Sequence, residues 1–159
     1  MAAISKQKIS PFLWFDGKAE EAIKLYTSLF KNSSIKEISY WGEGTPFPKD
    51  QVKTGVFELE GLQFYAFDAG PMFKFTEATS FLVSCDTQEE IDFFWNNLTA
   101  NGGEESQCGW LKDKFGLSWQ IVPPVLMQLM QSEDKAKAGR AMQAMMKMKK
   151  IIIADLLDA

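Results

Sequence analysis

The chain has no histidine among its 159 residues, so it lacks the side chain that most often serves as general base or metal ligand near neutral pH. It has two cysteines, Cys85 and Cys108, too few for a disulfide framework or a zinc cluster. No stretch approaches the roughly 20 apolar residues of a membrane span. These absences predict free thiols, no histidine-bound metal and no membrane insertion.

The distribution of charge narrows the possible partners. The net charge is −4, with 17 basic residues scattered among 21 acidic ones, whereas nucleic-acid binding needs a clustered basic face. The one basic concentration, Lys147 with Lys149 and Lys150, falls where a helix is predicted to end and complements its dipole. The sequence MAAISKQKISPF carries no apolar run of the kind that signal peptides have. We expect no nucleic-acid partner and a cytoplasmic location.

The first half of the chain predicts one strand, one helix and three further strands. Apolar residues make up 46% of the chain, enough for a packed core. An aromatic-rich run at 9–15 predicts a strand, and apolar residues between 19 and 30 recur at helical spacing. The next three strands are predicted at 33–41, 52–60 and 62–70. Together they form a first module at 8–70.

The same pattern starts again near residue 79. A strand at 79–85 is followed by Thr87 and Glu90, spaced as a capping box, and the predicted helix ends at Asn101-Gly102-Gly103. Three more strands are predicted, near Glu104-Glu105 and on either side of Phe115-Gly116. Asp16 and Asp86 each close a strand before a helix that opens with two glutamates, which indicates an internal duplication. The second module is predicted at 78–123.

A helical tail is predicted from 124 to 159, with Ser132 as the cap of its longest helix. It holds six of the eight methionines, a composition typical of adaptable packing. A tail this apolar must bury against something. Whether it forms a lid over a pocket or a dimer interface is left open by the sequence.

Three segments, 11–30, 70–95 and 108–124, carry a family resemblance. They resemble the 3-demethylubiquinone-9 3-methyltransferase-like, or PhnB-like, branch of the vicinal oxygen chelate superfamily, which includes glyoxalases, bleomycin-resistance proteins and dioxygenases. The resemblance implies an α+β fold in a single glyoxalase-like domain. Two βαβββ modules would curl an antiparallel sheet around a cleft, with a helical C-terminal tail. It also implies a homodimer, since two-module members commonly pair.

The resemblance implies four metal-ligand positions on the strands. They fall near Ile9 or Pro11, Ala66 or Asp68, Thr79 or Ser80, and Gln120. Only Asp68 and Gln120 offer ligand atoms, and two oxygens cannot complete the shells of Mg²⁺ or Zn²⁺. We therefore expect no metal and no other cofactor. The methyltransferase label finds no support either, because S-adenosylmethionine commonly lies on a glycine-rich turn between a strand and a helix, and the comparable turn at residues 15–18 has one glycine.

Alternation along a strand would place Cys108, Trp110 and Lys112 on one face. If this face lines the cleft, the indole and ammonium suit an anionic or aromatic small molecule. In the alternative, Trp110 packs against a helix and Lys112 is solvated. Cys108 is expected to be an inert thiol, since the chain has no histidine to activate it. Trp14 and Phe67 are the candidate ligand-binding residues of the first module.

Three functions are compatible with these residues. The first is a metal-free protein that binds a small organic molecule in an aromatic-walled cleft. The second is an enzyme acting on a quinone-like or oxygenated molecule, with Asp68 as general base together with Gln120 and Lys112. The third is a dimeric structural protein with a vestigial cleft. The wealth of aromatics and the scarcity of titratable groups favour the first, and the sequence leaves catalysis undecided.

Overall fold

The computed structural model describes residues 6–159, so the first five residues of the N-terminal sequence considered above lie outside the described part. The chain divides into two compact units, one ending at Lys74 and the other beginning at Phe75. Within residues 6–159, no helix has both the length and the apolar character needed to cross a membrane.

The first unit is one βαβββ module. Its elements are β1 (Phe12–Phe15), α1 (Ala19–Leu29), β2 (Ser34–Tyr40), β3 (Val52–Leu59) and β4 (Leu62–Asp68). The sheet order is β1-β4-β3-β2, with β1 parallel to β4 and the other pairs antiparallel. Helix α1 buries its apolar face, including Ala22, Ile23 and Tyr26. Gly55 on β3 leaves room for it, since a Cβ there would lie 2.5 Å from Ile23 Cδ1.

The second unit repeats this arrangement. Its elements are β5 (Ser80–Ser84), α2 (Gln88–Thr99), β6 (Glu104–Glu105), β7 (Trp110–Lys112) and β8 (Ser118–Val122). The sheet order is β5-β8-β7-β6, and β5 runs parallel to β8. Thr87 caps α2 by accepting a hydrogen bond from the Glu90 amide, as the capping box predicts. The buried face of α2 consists of Ile91, Phe94, Trp95 and Leu98.

The tail contains α3 (Pro124–Met130), α4 (Lys135–Met146) and α5 (Ile153–Leu157). The N-cap of α4 is Asp134, whose carboxylate accepts from the Lys137 amide; Ser132 instead accepts from Asp134, so the predicted cap was two residues early. The segment before α5 is bonded to the second module. The Cys108 amide donates to the Met148 carbonyl at 2.8 Å, and Gln88 bonds the backbone of Ile151 and Ile153.

The predicted α+β fold of two βαβββ modules is confirmed. The sheets are mixed, however, where a purely antiparallel sheet was expected. In each module the first and the fourth strand are parallel. Between them lie one helix and two strands, and the chain reverses its direction at each of the four connections, so the fourth strand runs in the same direction as the first. The predicted start of β1 at residue 9 was also early, since β1 begins at Phe12, after Pro11.

Candidate functional site

The predicted residues Trp14 and Phe67 come together on the first module. They are register partners on β1 and β4, and their rings meet edge to face with centroids 5.0 Å apart. Trp14 also contacts Phe73 at 4.9 Å and donates its indole N–H to the Gly70 carbonyl at 2.8 Å. Phe12 lies on the same face and stays 57% exposed. We call Phe12, Trp14, Phe67 and Phe73 the aromatic face.

Asp68 lies at the end of β4 and is 2% exposed. Its Oδ1 accepts from the Ala19 amide at 3.0 Å, and its Oδ2 accepts from the Val52 amide at 2.9 Å. The carboxylate thus joins the first turn of α1 to the start of β3, where it also complements the helix dipole. Because both oxygens hold backbone donors, we do not assign proton transfer or metal binding to Asp68.

The second module brings Trp110, Lys112 and Gln120 onto one face of its sheet. Trp110 pairs with Gln120 and Lys112 pairs with Ser118, so the side chains of these four residues project from the same side. Leu111 and Trp119 project from the opposite side and are buried. Cys108 is not part of this face. It lies in a turn before β7 with a positive φ of 58°, because the chain there bends to meet the tail.

A cavity of about 120 Å³ opens on this face of the second module. We call it the polar pocket. Its lining residues are Glu77, Glu104, Glu105, Ser106, Trp110, Leu111, Lys112 and Ser118. Ser118 is 0% exposed, and within residues 6–159 its Oγ is a buried side-chain oxygen without a hydrogen-bond partner. Leaving a buried hydroxyl unpaired costs free energy, so this atom is suited to a ligand's polar group.

An ion pair lies in the polar pocket. Lys112 Nζ is 2.5 Å from Glu77 Oε1, and this carboxylate raises the pKa of Lys112, which therefore stays protonated at neutral pH. The same hydrogen bond lowers the pKa of Glu77. Glu105 accepts a hydrogen bond from the indole N–H of Trp95 at 2.7 Å. The pocket therefore combines one ammonium group with three carboxylates.

Gln120 donates its amide N–H to the Ser80 hydroxyl at 2.9 Å. This contact leaves the amide oxygen of Gln120 as the atom that could bind a metal ion. Among the described residues 6–159, no group of three or more cysteine or acidic side chains is arranged to hold a metal ion. A divalent cation needs several oxygen, nitrogen or sulfur ligands at once. The donors among the described residues do not fit the metal site that the family resemblance implies.

The turn between β1 and α1 does not fit S-adenosylmethionine. The side-chain amide of Gln51 covers Gly17, since a Cβ there would lie 2.9 Å from its nitrogen. The first amide of α1 is already bonded to Asp68. A cofactor that approaches a helix start through a glycine-rich turn would need both positions to be open.

Both cysteines are free thiols. Cys85 is fully buried, and burial raises the pKa of its thiol from 9.0 to about 12, which makes it a poor nucleophile. Asp113, which follows β7, is 2% exposed. It accepts hydrogen bonds from the amides of Phe115 and Leu117 and from the indole of Trp119, so it holds the β7–β8 turn together.

Of the eight residues that line the polar pocket, sequence reasoning named Trp110 and Lys112 and missed the other six, among them Ser118 and Glu77. Ser118 could have been found, because Ser118 and Gln120 alternate with the apolar Trp119 and Ile121. Glu77 gave no signal, since it lies in a loop 35 positions before its partner Lys112.

Comparison with solved structures finds the same fold in fosfomycin resistance proteins. A fosfomycin resistance protein, FosX from Mesorhizobium loti, is 8% identical, with a TM-score of 0.51 over 74% of this chain and 91% of its own. A mutant of FosX from Listeria monocytogenes, complexed with Mn(II) and 1S,2S-dihydroxypropylphosphonic acid, is 14% identical, with a TM-score of 0.54 over 80% of this chain and 100% of its own. At these identities the likeness concerns the fold alone.

Two findings identify the family. The profile of the 3-demethylubiquinone-9 3-methyltransferase family matches residues 7–122. A PhnB protein from Bacillus cereus, described with the same methyltransferase label, is 40% identical, with a TM-score of 0.70 over 74% of this chain and 99% of its own. The chain belongs to the 3-demethylubiquinone-9 3-methyltransferase-like, or PhnB-like, family. A search of curated proteins found no match.

Proposed function

We propose that this protein binds a small organic molecule, without a metal, in the polar pocket of its second module. The observation that carries the proposal is the unpartnered, fully buried hydroxyl of Ser118 beside the ammonium of Lys112 in a cavity of about 120 Å³. Natural ligand pockets usually measure about 300–1,000 Å³. The polar pocket therefore suits a small molecule or the polar head of a larger one.

Three side chains give the pocket its binding chemistry. Lys112 is protonated and can donate a charge-assisted hydrogen bond, which is about twice as strong as a neutral one. Ser118 offers a hydroxyl that can donate or accept. Trp110 is half-buried and offers an indole face on which a planar ligand can stack. Together they suit a small molecule with an oxygen-rich head and a planar body.

Binding explains these residues better than acid–base catalysis does. Asp68, the expected general base, has backbone N–H donors on both oxygens. A lysine is protonated at neutral pH, and the ion pair with Glu77 raises the pKa of Lys112 further, so Lys112 does not serve as a base. Gln120 does not titrate. The second module thus offers donors that hold an oxygen-containing ligand, and catalysis is not part of this proposal.

We also propose that the protein is a cytoplasmic homodimer that pairs through its tail. Large apolar side chains of the tail are exposed: Met127, Met142, Met146 and Leu157. The two free thiols suit a reducing compartment. Sedimentation should give twice the monomer mass for the wild type and the monomer mass for Met142→Lys/Met146→Lys; a wild-type monomer would contradict the homodimer.

Native mass spectrometry of protein freshly isolated from cells tests the binding proposal. We expect a retained small molecule and no retained metal ion in the wild type, and loss of the molecule in Trp110→Ala and Lys112→Met. The matched control is Lys49→Met, which removes a lysine paired with Glu43 at 3.2 Å in the other unit. Retention of the molecule by all three variants, or a stoichiometric metal in the wild type, would contradict the proposal.

A further inference from the structure

We propose that Glu77 sets the ligand specificity of the polar pocket by occupying, with its own carboxylate, the position where a ligand's anionic group would bind Lys112. The ligand class that follows is a small monocarboxylate, which exchanges places with Glu77, in preference to a dianion such as a phosphate or phosphonate. This inference rests on the proposed function, since it concerns the same pocket.

The geometry places Glu77 as an internal competitor. It belongs to the loop between β4 and β5 and reaches Lys112 Nζ at 2.5 Å. Its side chain is 61% exposed, whereas that of Lys112 is 34% exposed. The carboxylate can therefore swing into solvent while Lys112 stays at the pocket. Ser118, with its unpartnered hydroxyl, is the register partner of Lys112, so an incoming carboxylate would meet both groups.

The cost of displacing Glu77 is small. Exposed ion pairs change an equilibrium constant by no more than about fivefold, because water competes for both charges and two long side chains must be held in place. A ligand carboxylate that also reaches the buried Ser118 hydroxyl gains a contact that Glu77 lacks, since no partner of that hydroxyl exists among the described residues. Exchange of one carboxylate for the other is therefore favourable.

The charge of the pocket lining selects against dianions. Among its lining residues Lys112 is the one cation, and it is paired with Glu77 and lies across from its register partner Glu104. A monocarboxylate replaces the negative charge that leaves with Glu77, so the net charge around Lys112 is unchanged. A dianion would add a second negative charge beside Glu104, the register partner of Lys112, with no cation to match it. Removing the charge of Glu77 should therefore strengthen the binding of anions and leave the binding of neutral molecules unchanged.

Titrations followed by amide and indole NMR spectra test this inference with three probes: benzoate, its neutral analogue benzamide, and the dianion phenylphosphonate. The proteins are the wild type, Glu77→Gln and the charge-matched control Glu43→Gln, whose carboxylate pairs with Lys49 in the other unit. At low ionic strength we expect Glu77→Gln to tighten benzoate binding by about threefold to fivefold, from loss of the competing pair. Benzamide should change by less than about twofold on the same reasoning. In the wild type, benzoate should bind more tightly than phenylphosphonate.

The outcomes separate this inference from the proposed function. Benzoate binding that disappears in Lys112→Met but is equal in the wild type and Glu77→Gln would overturn the role of Glu77 and leave the pocket in place. An equal gain in Glu43→Gln would show an effect of net charge alone and would also overturn it. Tighter binding of phenylphosphonate than benzoate would overturn the ligand class. Absence of binding of every probe to every variant would overturn the proposed function and the inference together.

Discussion

At the scale of single residues, the buried carboxylates act as hydrogen-bond acceptors for the backbone. Asp68 accepts hydrogen bonds from two backbone amides, and Asp113 accepts hydrogen bonds from two backbone amides and one indole N–H. A carboxylate that accepts several N–H groups in the core is expensive to remove, because each donor loses its partner in a place that water does not reach. Both residues therefore contribute to stability.

Asp68→Ala should lower the free energy of unfolding by about 2–4 kcal/mol, because it leaves two buried donors unpaired and removes a charge from the start of α1. Urea denaturation measures the loss. Asp16→Ala, an exposed aspartate close to the same helix, should stay within about 0.5 kcal/mol of the wild type. Benzoate affinity should be unchanged in both variants. Weaker benzoate binding by correctly folded Asp68→Ala would mean that Asp68 contacts the ligand after all.

Cys85 makes stability depend on alkaline pH. Its pKa is raised from 9.0 to about 12 in the folded protein, so the unfolded chain releases the proton first as pH rises. The free energy of unfolding that the neutral thiol of Cys85 contributes is fully present below pH 9. It decreases between pH 9 and about 12, by about 1.4 kcal/mol per pH unit. Comparison with Cys85→Ala isolates this effect from other groups: the wild type should lose stability faster over that range. Parallel curves for the two proteins would contradict it.

At the scale of elements, the sequence predicted the order of the helices and strands, because each has a local signal. Helical spacing marked α1, the Thr87–Glu90 pair marked the start of α2, and the short strand predicted near Glu104-Glu105 corresponds to β6. The relative direction of the strands could not be predicted from local sequence, because the parallel pairing of β1 with β4 depends on the path of the whole module. The turn at Cys108 was also missed, since it exists to meet the tail, about 40 residues further on.

Gly55 tests how tightly α1 packs on its sheet. Gly55→Ala would place a Cβ 2.5 Å from Ile23 Cδ1, and overpacking of this kind costs about 1–3 kcal/mol. Ile23→Val removes the clashing methyl group, so the double variant should be more stable than the sum of the two single changes predicts. Gly42→Ala is the control, because its Cβ would have no neighbour within 4 Å. Strict additivity in urea denaturation would show that the clash is relieved by backbone movement instead.

At the scale of the whole molecule, the polar pocket combines residues that the sequence keeps far apart. Trp110 and Lys112 could be placed on one face because alternation along a strand is a local property. Glu77 could not be predicted as a pocket residue, since its contact with Lys112 depends on where a loop returns to the sheet. The same holds for the aromatic face, where Trp14 and Phe67 meet only because β1 and β4 pair in parallel. Pairs of this kind follow from the parallel pairing and the loop paths of the folded module, which neither the local pattern nor the family resemblance gave.

The docking of the tail also relies on long-range contacts, several of them made by Gln88 and Asp92 on α2. Gln88 on α2 donates to the Ile151 carbonyl at 3.0 Å and accepts from the Ile153 amide at 2.9 Å, while Lys150 pairs with Asp92 at 2.7 Å. In Gln88→Ala, hydrogen exchange at the Ile153 amide should accelerate by about tenfold, corresponding to roughly 1–1.5 kcal/mol for the lost side-chain bonds. Amides of the β3–β4 pair, in the other unit, should exchange as in the wild type. The exposed Gln128 on α3 provides the matched control, since Gln128→Ala removes the same amide without touching this segment. Unchanged exchange at Ile153 would mean that the buried side chain of Ile151, rather than Gln88, holds the tail in place.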